Sequence, residues 1–247
     1  MLRFILDIFA ALLIVLTSFI LIPINLLVGL FSKRKKELMA QSFLRIALKS
    51  ILFISGTSVT IIGKEKLDKQ PKDEVFLFIG NHNGFFDVML TYTNIKCPLS
   101  YLSKKEFAKV PFMHYWMKAG RSVFIDRAHP REGLKSILEG VEVMKSGTSM
   151  FVFPEGTRNR TGEGLLDFHS GCFKLAEKTN CKIFPVVMNN TAECFENALP
   201  HLHKTHTVLE FLDPIDISNL NREERKKLNV RCRELMLNCY EKNKSLV

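Results

Sequence analysis

The sequence predicts an α/β fold: a mixed, largely parallel sheet flanked by helices, preceded by an apolar N-terminal segment that anchors the chain in a membrane. Three observations carry this expectation. Residues 4–31 are almost unbroken hydrocarbon. Beyond residue 58, short apolar runs alternate with stretches of helical periodicity, the pattern of strands joined by helices. The run at 75–79, Val-Phe-Leu-Phe-Ile, is apolar at every position, as in a strand covered on both faces. Residues 1–57 are therefore read as membrane-anchoring helices and 58–247 as one α/β domain of catalytic size.

The anchor comes first in the chain. Within 4–31 the polar interruptions are Asp7, Thr17, Ser18 and Asn25, and about 20 apolar residues suffice to span a bilayer. The stretch is longer than a signal-peptide core and has no small-x-small cleavage site. Lys33-Arg34-Lys35-Lys36 follow directly; basic residues beside an apolar segment stay cytoplasmic and attract anionic head groups by about 1 kcal/mol each. A second apolar stretch, 43–54, is too short to span and reads as an interfacial or half-penetrating partner of the first.

In the domain, Gly80-Asn81 ends the strand at 75–79, and 85–92 begins a helix. Residues 123–125 form a short strand. From 130 to 146, Leu134, Ile137, Leu138, Val141 and Met144 recur at helical spacing, with Gly147 where a C-terminal cap belongs. A strand at 149–153 leads into the turn Pro154-Glu155-Gly156, then a helix over 168–178 and a strand over 182–188. A further strand covers 207–212, and a last helix 221–242, with Ser218 and Asn219 as candidate caps.

Composition narrows the function. With 47% apolar residues in 247, the chain can build a core and is not disordered. A formal charge of +10 calls for a polyanionic partner. The anchor identifies that partner as a membrane surface, and nucleic acid is set aside. Six scattered cysteines show no zinc-like or CxxC spacing and read as reduced thiols in a cytoplasmic setting. No GxSxG, GxxxxGK[ST], HExxH or GxGxxG element is present, so the common hydrolase, nucleotidase, zinc-peptidase and dinucleotide readings lose support.

Three charged segments follow strands. Asn81-His82-Asn83-Gly84-Phe85-Phe86-Asp87 places His and Asp five apart, about 140° on a regular helix. They can meet only if His82 sits on the turn and Asp87 in the helix's first turn. An imidazole so partnered is a general base whose tautomer the carboxylate fixes, and a substrate hydroxyl makes an enzyme nucleophile unnecessary. Phe153-Pro154-Glu155-Gly156-Thr157-Arg158-Asn159-Arg160 offers a glycine for close approach and a guanidinium fork suited to phosphate. Gly120-Arg121-Ser122-Val123-Phe124-Ile125-Asp126-Arg127 delivers a charged pair at a strand end. Taken singly, each is equally read as an ordinary polar turn or a surface salt bridge.

In this order, together with Ile183-Phe184-Pro185-Val186-Val187, these segments resemble the glycerolipid acyltransferase superfamily, particularly its 1-acyl-sn-glycerol-3-phosphate acyltransferases. That family's blocks run NHxSxxD, GxIFIDR, FPEGTRS and a later V-P-V. The resemblance covers roughly residues 60–215. It implies an enzyme of phospholipid biosynthesis that moves a fatty acyl group from a thioester to the free hydroxyl of 1-acylglycerol 3-phosphate, giving phosphatidic acid. His82 would be the general base and Asp87 its orienting partner. Glu155, Gly156, Thr157 and Arg158 would form the acceptor-phosphate site, with Arg127 adding positive charge and Lys105 a second phosphate contact. Residues 184–187 would line the acyl region. The attack would be direct, without metal or cofactor, the co-substrate being acyl-CoA or acyl-carrier-protein thioester. The site would face the cytoplasm, at the inner membrane if bacterial.

Two positions depart from the family pattern: Gly84 stands for the serine of the first block and Asn159 for the serine after EGTR. Gly84 leaves acceptor identity less fixed than reaction class. Alternatives are the same chemistry on glycerol 3-phosphate or another lysolipid, a metal site built on His82, Asp87 and Glu155, and a non-catalytic anionic-lipid-binding protein.

Overall fold

The computed structural model describes residues 2–126 and 129–247. Two long helices come first, α1 (Leu2–Phe31) and α2 (Lys33–Ser55), both long and apolar enough to cross a membrane. They pair antiparallel around Ser32, whose hydroxyl accepts from the Lys35 N–H at 3.2 Å and caps α2. At the other end, Arg3 donates to the Ile54 carbonyl at 3.2 Å, satisfying an orphan acceptor of α2.

The second helix therefore begins ten residues earlier than the apolar run at 43–54 suggests. Lysine and arginine are good helix formers, so the basic cluster becomes the first turn of α2 once Ser32 caps it. Arg34 turns back onto the domain, donating to Thr148 Oγ1 at 3.1 Å and the Gly147 carbonyl at 3.3 Å. Lys33 and Lys35 are exposed.

The domain proceeds as β1 (Ser58–Ile62), α3 (Lys64–Asp68), β2 (Phe76–Gly80), α4 (Phe85–Asn94), β3 (Leu99–Lys104), α5 (Pro111–Ala119), β4 (Val123–Ile125), α6 (Pro130–Lys145), β5 (Ser149–Val152), α7 (Lys174–Thr179), β6 (Lys182–Asn189), β7 (His206–Phe211), α8 (Arg222–Lys226) and α9 (Leu228–Asn243). The described strands form one seven-stranded sheet in the order β1-β7-β6-β2-β5-β3-β4. The five strands from β6 to β4 are mutually parallel; β7 runs antiparallel to β6, and β1 lies parallel to β7.

The central strand explains its own composition. Leu77 and Ile79 face a cluster with Ile137, Val141, Leu175 and Met236 of α6, α7 and α9. Phe76 and Phe78 face the other side, among Phe151, Phe184, Phe211 and Tyr92, with Leu44 and Leu48 of α2 packed against them. Both faces are dry, so no polar alternation is needed. Residues 184–187, expected to line an acyl region, lie in β6 and are buried, Phe184, Val186 and Val187 within these clusters. All six cysteines are free.

Several expected boundaries shift. The helix expected over 168–178 is a 3₁₀ turn, Ser170–Phe173, followed by α7. The last helix breaks at Lys227, and Asn221, not Ser218 or Asn219, caps it, accepting from the Glu223 and Glu224 N–H groups while the Glu224 carboxylate accepts from Asn221 N–H. Strands β1 and β3 and helices α3 and α5 fall where the sequence predicts no individual element.

Polar residues of α1 lock it to the domain. Trp116 of α5 donates to Ser18 at 2.9 Å and Tyr115 to Asn25 at 2.8 Å, while Asn25 donates to the Lys36 carbonyl at 2.9 Å. Ser18 and Asn25 are fully buried. The opposite face of α1 leaves Leu12, Leu16, Phe19, Ile20 and Leu27 exposed.

Candidate active site

Loops that leave the C-terminal ends of β2, β3 and β5 line one cavity, the usual ligand position in an open parallel sheet. The loop after β2 carries His82 and turns into α4, which carries Asp87 at its third position. The pair that helical spacing would keep apart meets across this turn: His82 Nδ1 lies 2.7 Å from Asp87 Oδ2.

Asp87 is fully buried and densely held. Its Oδ2 also accepts the Asn83 and Gly84 N–H groups at 2.6 and 2.8 Å, and its Oδ1 accepts the Thr191 hydroxyl. A carboxylate receiving these donors keeps its role as acceptor, so Nδ1 of His82 carries the hydrogen and Nε2 the lone pair. Phe153 stacks on the imidazole with ring centroids 4.1 Å apart and fixes its plane.

Glu155, which the resemblance places in the phosphate site, is put to another use. It is buried, and its Oε1 accepts the His82 backbone N–H at 2.7 Å while Oε2 accepts the Leu166 N–H at 3.1 Å. Burial pushes its carboxyl up to about 7, against the lowering effect of those two donors. A carboxylate in this setting braces the histidine loop and would repel phosphate. The Asn159 N–H adds a second tie, donating to the His82 carbonyl at 2.7 Å. The Asn159 side chain bridges the Glu163 and Gly164 carbonyls and accepts from Thr161, organising the loop beyond the turn.

Glu155→Gln should therefore lower kcat more than it raises the acceptor KM. An amide can accept from only one of the two N–H groups, and a buried donor left unpaired costs about 1–3 kcal/mol. Steady-state kinetics in the acceptor check this; a change confined to acceptor KM would return Glu155 to the binding site.

The other expected residues divide. Arg158 and Thr157 line a cavity of about 910 Å³ that also contains His82, and Gly156, at φ +72°, makes the turn between them and the brace. A Cβ at Gly156 would lie 2.9 Å from the His169 ring and in a backbone region that side chains rarely adopt. Lys105 instead pairs with Asp126 at 3.0 Å, while its neighbour Lys104 lines the cavity, as does Arg160. Arg127 lies outside the described residues. The apolar part of the cavity wall includes Ile14 and Val15 of α1, Leu48 and Ile51 of α2, and Phe112 and Met113 near the start of α5.

The loop between β6 and β7 adds residues that no motif announces. Thr191 holds Asp87, Phe195 packs against Phe85 and Phe86, and Glu196 pairs with Arg158 at 3.2 Å. Among the described residues, no cluster of three or more His, Cys, Asp or Glu side chains is arranged to hold a metal ion.

A family model described as Acyltransferase matches residues 58–189, more than half of the chain. The chain is similar to the 1-acyl-sn-glycerol-3-phosphate acyltransferase of Saccharomyces cerevisiae, 29% identical over 184 residues, covering 74% of this chain and 59% of the yeast protein's length. Proteins of the same name are similar in Borreliella burgdorferi (28% identical, 75% of this chain and 72% of the relative) and Escherichia coli (31% identical, 65% and 64%). The crystal structure of the 1-acyl-sn-glycerophosphate acyltransferase PlsC from Thermotoga maritima has the same fold, with a TM-score of 0.74 over 98% of each chain at 22% identity.

Proposed function

The chain belongs to the acyltransferase family, and we propose that it acylates the free hydroxyl of 1-acylglycerol 3-phosphate with a fatty acyl thioester, giving phosphatidic acid. The observation that carries this reading is the cavity itself. His82 and three cationic side chains, Lys104, Arg158 and Arg160, line it together with apolar residues of the two membrane-type helices.

Each substrate part has a counterpart there. The acceptor phosphate would lie against Arg158, Arg160 and Lys104, and hydrocarbon against the apolar part of the wall. Nε2 of His82 takes the proton of the acceptor hydroxyl as its oxygen attacks the thioester carbonyl, and Asp87 stabilises the imidazolium. Collapse of the tetrahedral intermediate breaks the C–S bond. The thiolate of coenzyme A or acyl-carrier protein leaves with the proton from His82, which restores the base. No cofactor beyond the thioester enters these steps.

The helices supply the acceptor. Ser18 and Asn25, in the middle and second half of α1, are bonded to α5 and α2 of the folded body. A helix tied to the domain along that length is best accommodated lying along the interface, with its exposed apolar face in the lipid. We place the site on the cytoplasmic face, where Lys33 and Lys35 would meet anionic head groups. A lysolipid already in the bilayer gains little from burying its chain again, so recognition falls to the phosphate.

Arg158→Ala tests this assignment. The acceptor KM should rise about tenfold, the loss of one charged contact of roughly 1.5–3 kcal/mol, with the donor KM nearly constant. On a lysolipid without phosphate, wild type and variant should be equally poor. If only the donor KM rises, the arginine serves the donor's phosphates and the acceptor site lies elsewhere.

A further inference from the structure

Gly84 stands where the family pattern has serine, and the structure shows what fills the space. Its φ is −158° and ψ 179°, extended backbone that any residue adopts, so glycine is not required for conformation. It is required for room. A Cβ there would lie 2.5 Å from Glu196 Oε2 and 3.1 Å from Glu196 Cδ.

Gly84 is the N-cap position of α4, the helix that carries Asp87, and it has no side chain with which to cap. Glu196, reaching in from the β6–β7 loop, accepts the Phe85 N–H, the first donor of that helix, on Oε1 at 2.8 Å. The same oxygen accepts from Arg158 Nη1 at 3.2 Å. The Arg158 guanidinium also lies over the Phe85 ring, 4.0 Å from its centroid. Glu196 Oε2 is buried without a hydrogen-bond partner and lies against Gly84. One carboxylate thus satisfies an orphan donor at a helix start, where the peptide dipoles favour negative charge, and fixes the plane of the guanidinium.

Resting on the reading of Arg158 as the acceptor-phosphate ligand, we propose that Glu196 is a positioning residue that acts jointly with Gly84. It caps the helix that presents Asp87 through the first N–H, a donor that an N-cap hydroxyl does not serve, and it pre-orients Arg158 for the phosphate. A serine at 84 could cap the same helix through its second or third N–H instead, but could not orient Arg158. The two positions are therefore coupled, and a serine at 84 belongs with a residue other than glutamate at 196.

Glu196→Ala, Gly84→Ser and the double variant separate the two tasks. Glu196→Ala should lower kcat by at most roughly fivefold, the limit reached if the whole effect of a lost helix cap falls on the placement of Asp87, and raise acceptor KM by a comparable factor through a loosened Arg158. Gly84→Ser should push the flexible carboxylate aside, keeping kcat within about twofold while acceptor KM rises. In the double variant kcat should recover towards wild type and acceptor KM should stay raised. Glu196→Gln, which keeps a carbonyl for both donors, should lie nearer wild type than Glu196→Ala. Failure of Gly84→Ser to restore kcat in the Glu196→Ala background overturns the proposal, as do unchanged kcat and KM in Glu196→Ala itself.

Thermal unfolding of the four proteins reads the same coupling without activity. The midpoint losses of the single variants should exceed that of the double when summed, and strict additivity counts against the proposal. Wild-type turnover of lysophosphatidic acid in the same assay tests the underlying acceptor reading separately.

Discussion

His82→Ala should fold, bind vesicles and turn over acceptor about 10²–10⁴ times more slowly than wild type, the usual cost of losing a general base. Folding should survive because the imidazole's partners are not orphaned by its loss. Asp87 keeps the Asn83 and Gly84 N–H groups and the Thr191 hydroxyl. The Glu155 brace bonds the backbone of residue 82, not its side chain. Acceptor KM should change little, since the imidazole takes its proton in the transition state. A variant that keeps more than about half of the wild-type rate would remove His82 from the chemistry.

The second large effect concerns α1. Deleting residues 1–31 is a poor test of membrane delivery, because Ile14, Val15 and Ser18 form part of the cavity wall and Ser18 and Asn25 bond the domain. Charging the outward face leaves those contacts intact. Leu16 and Ile20 are exposed on it. Leu16→Asp with Ile20→Asp should cost at least about 2 kcal/mol of insertion, hence more than about thirtyfold in vesicle partition. Activity on lysolipid in vesicles should collapse, while activity on a short-chain, detergent-dispersed acceptor should stay near wild type. Vesicle co-sedimentation with both assays checks this, and undiminished partition would show that α1 is not the lipid contact.

Much of this was legible because it rests on local chemistry. The fully apolar run of β2 announces a strand buried on both faces, and the strand-turn-helix context is what lets His82 and Asp87 meet despite their spacing. The misplacements come from pairings that are distant in sequence. Lys104 and Lys105 are adjacent, and which of them faces the cavity depends on where β3 ends and the 3₁₀ turn begins. β3 itself reads Leu-Ser-Tyr-Leu-Ser-Lys, too polar to announce a buried strand, yet Ser100 is buried with its hydroxyl donating to the Ser149 carbonyl at 3.2 Å. Glu155 shares a motif with Arg158, but its carboxylate turns inward to the backbone N–H groups of His82, on another loop, and of Leu166, eleven residues on in its own. Thr191 and Glu196 reach the site only because the β6–β7 connection folds back over the start of α4, which no periodicity encodes. The start of α2 was obscured because a basic cluster reads as a break after an apolar helix, when a serine cap makes it the first turn of the next.

Acyl transfer to the acceptor oxygen depends on proton removal by one nitrogen, Nε2 of His82. Purified wild type and His82→Ala, incubated side by side with 1-acylglycerol 3-phosphate in vesicles and an acyl thioester on coenzyme A or acyl-carrier protein, should differ in one product by mass spectrometry. Wild type should yield phosphatidic acid carrying the donor's acyl chain, with release of an equal amount of free thiol, and the variant almost none. Equal phosphatidic acid from both proteins, or thiol release without acylated lipid from wild type, would contradict the account.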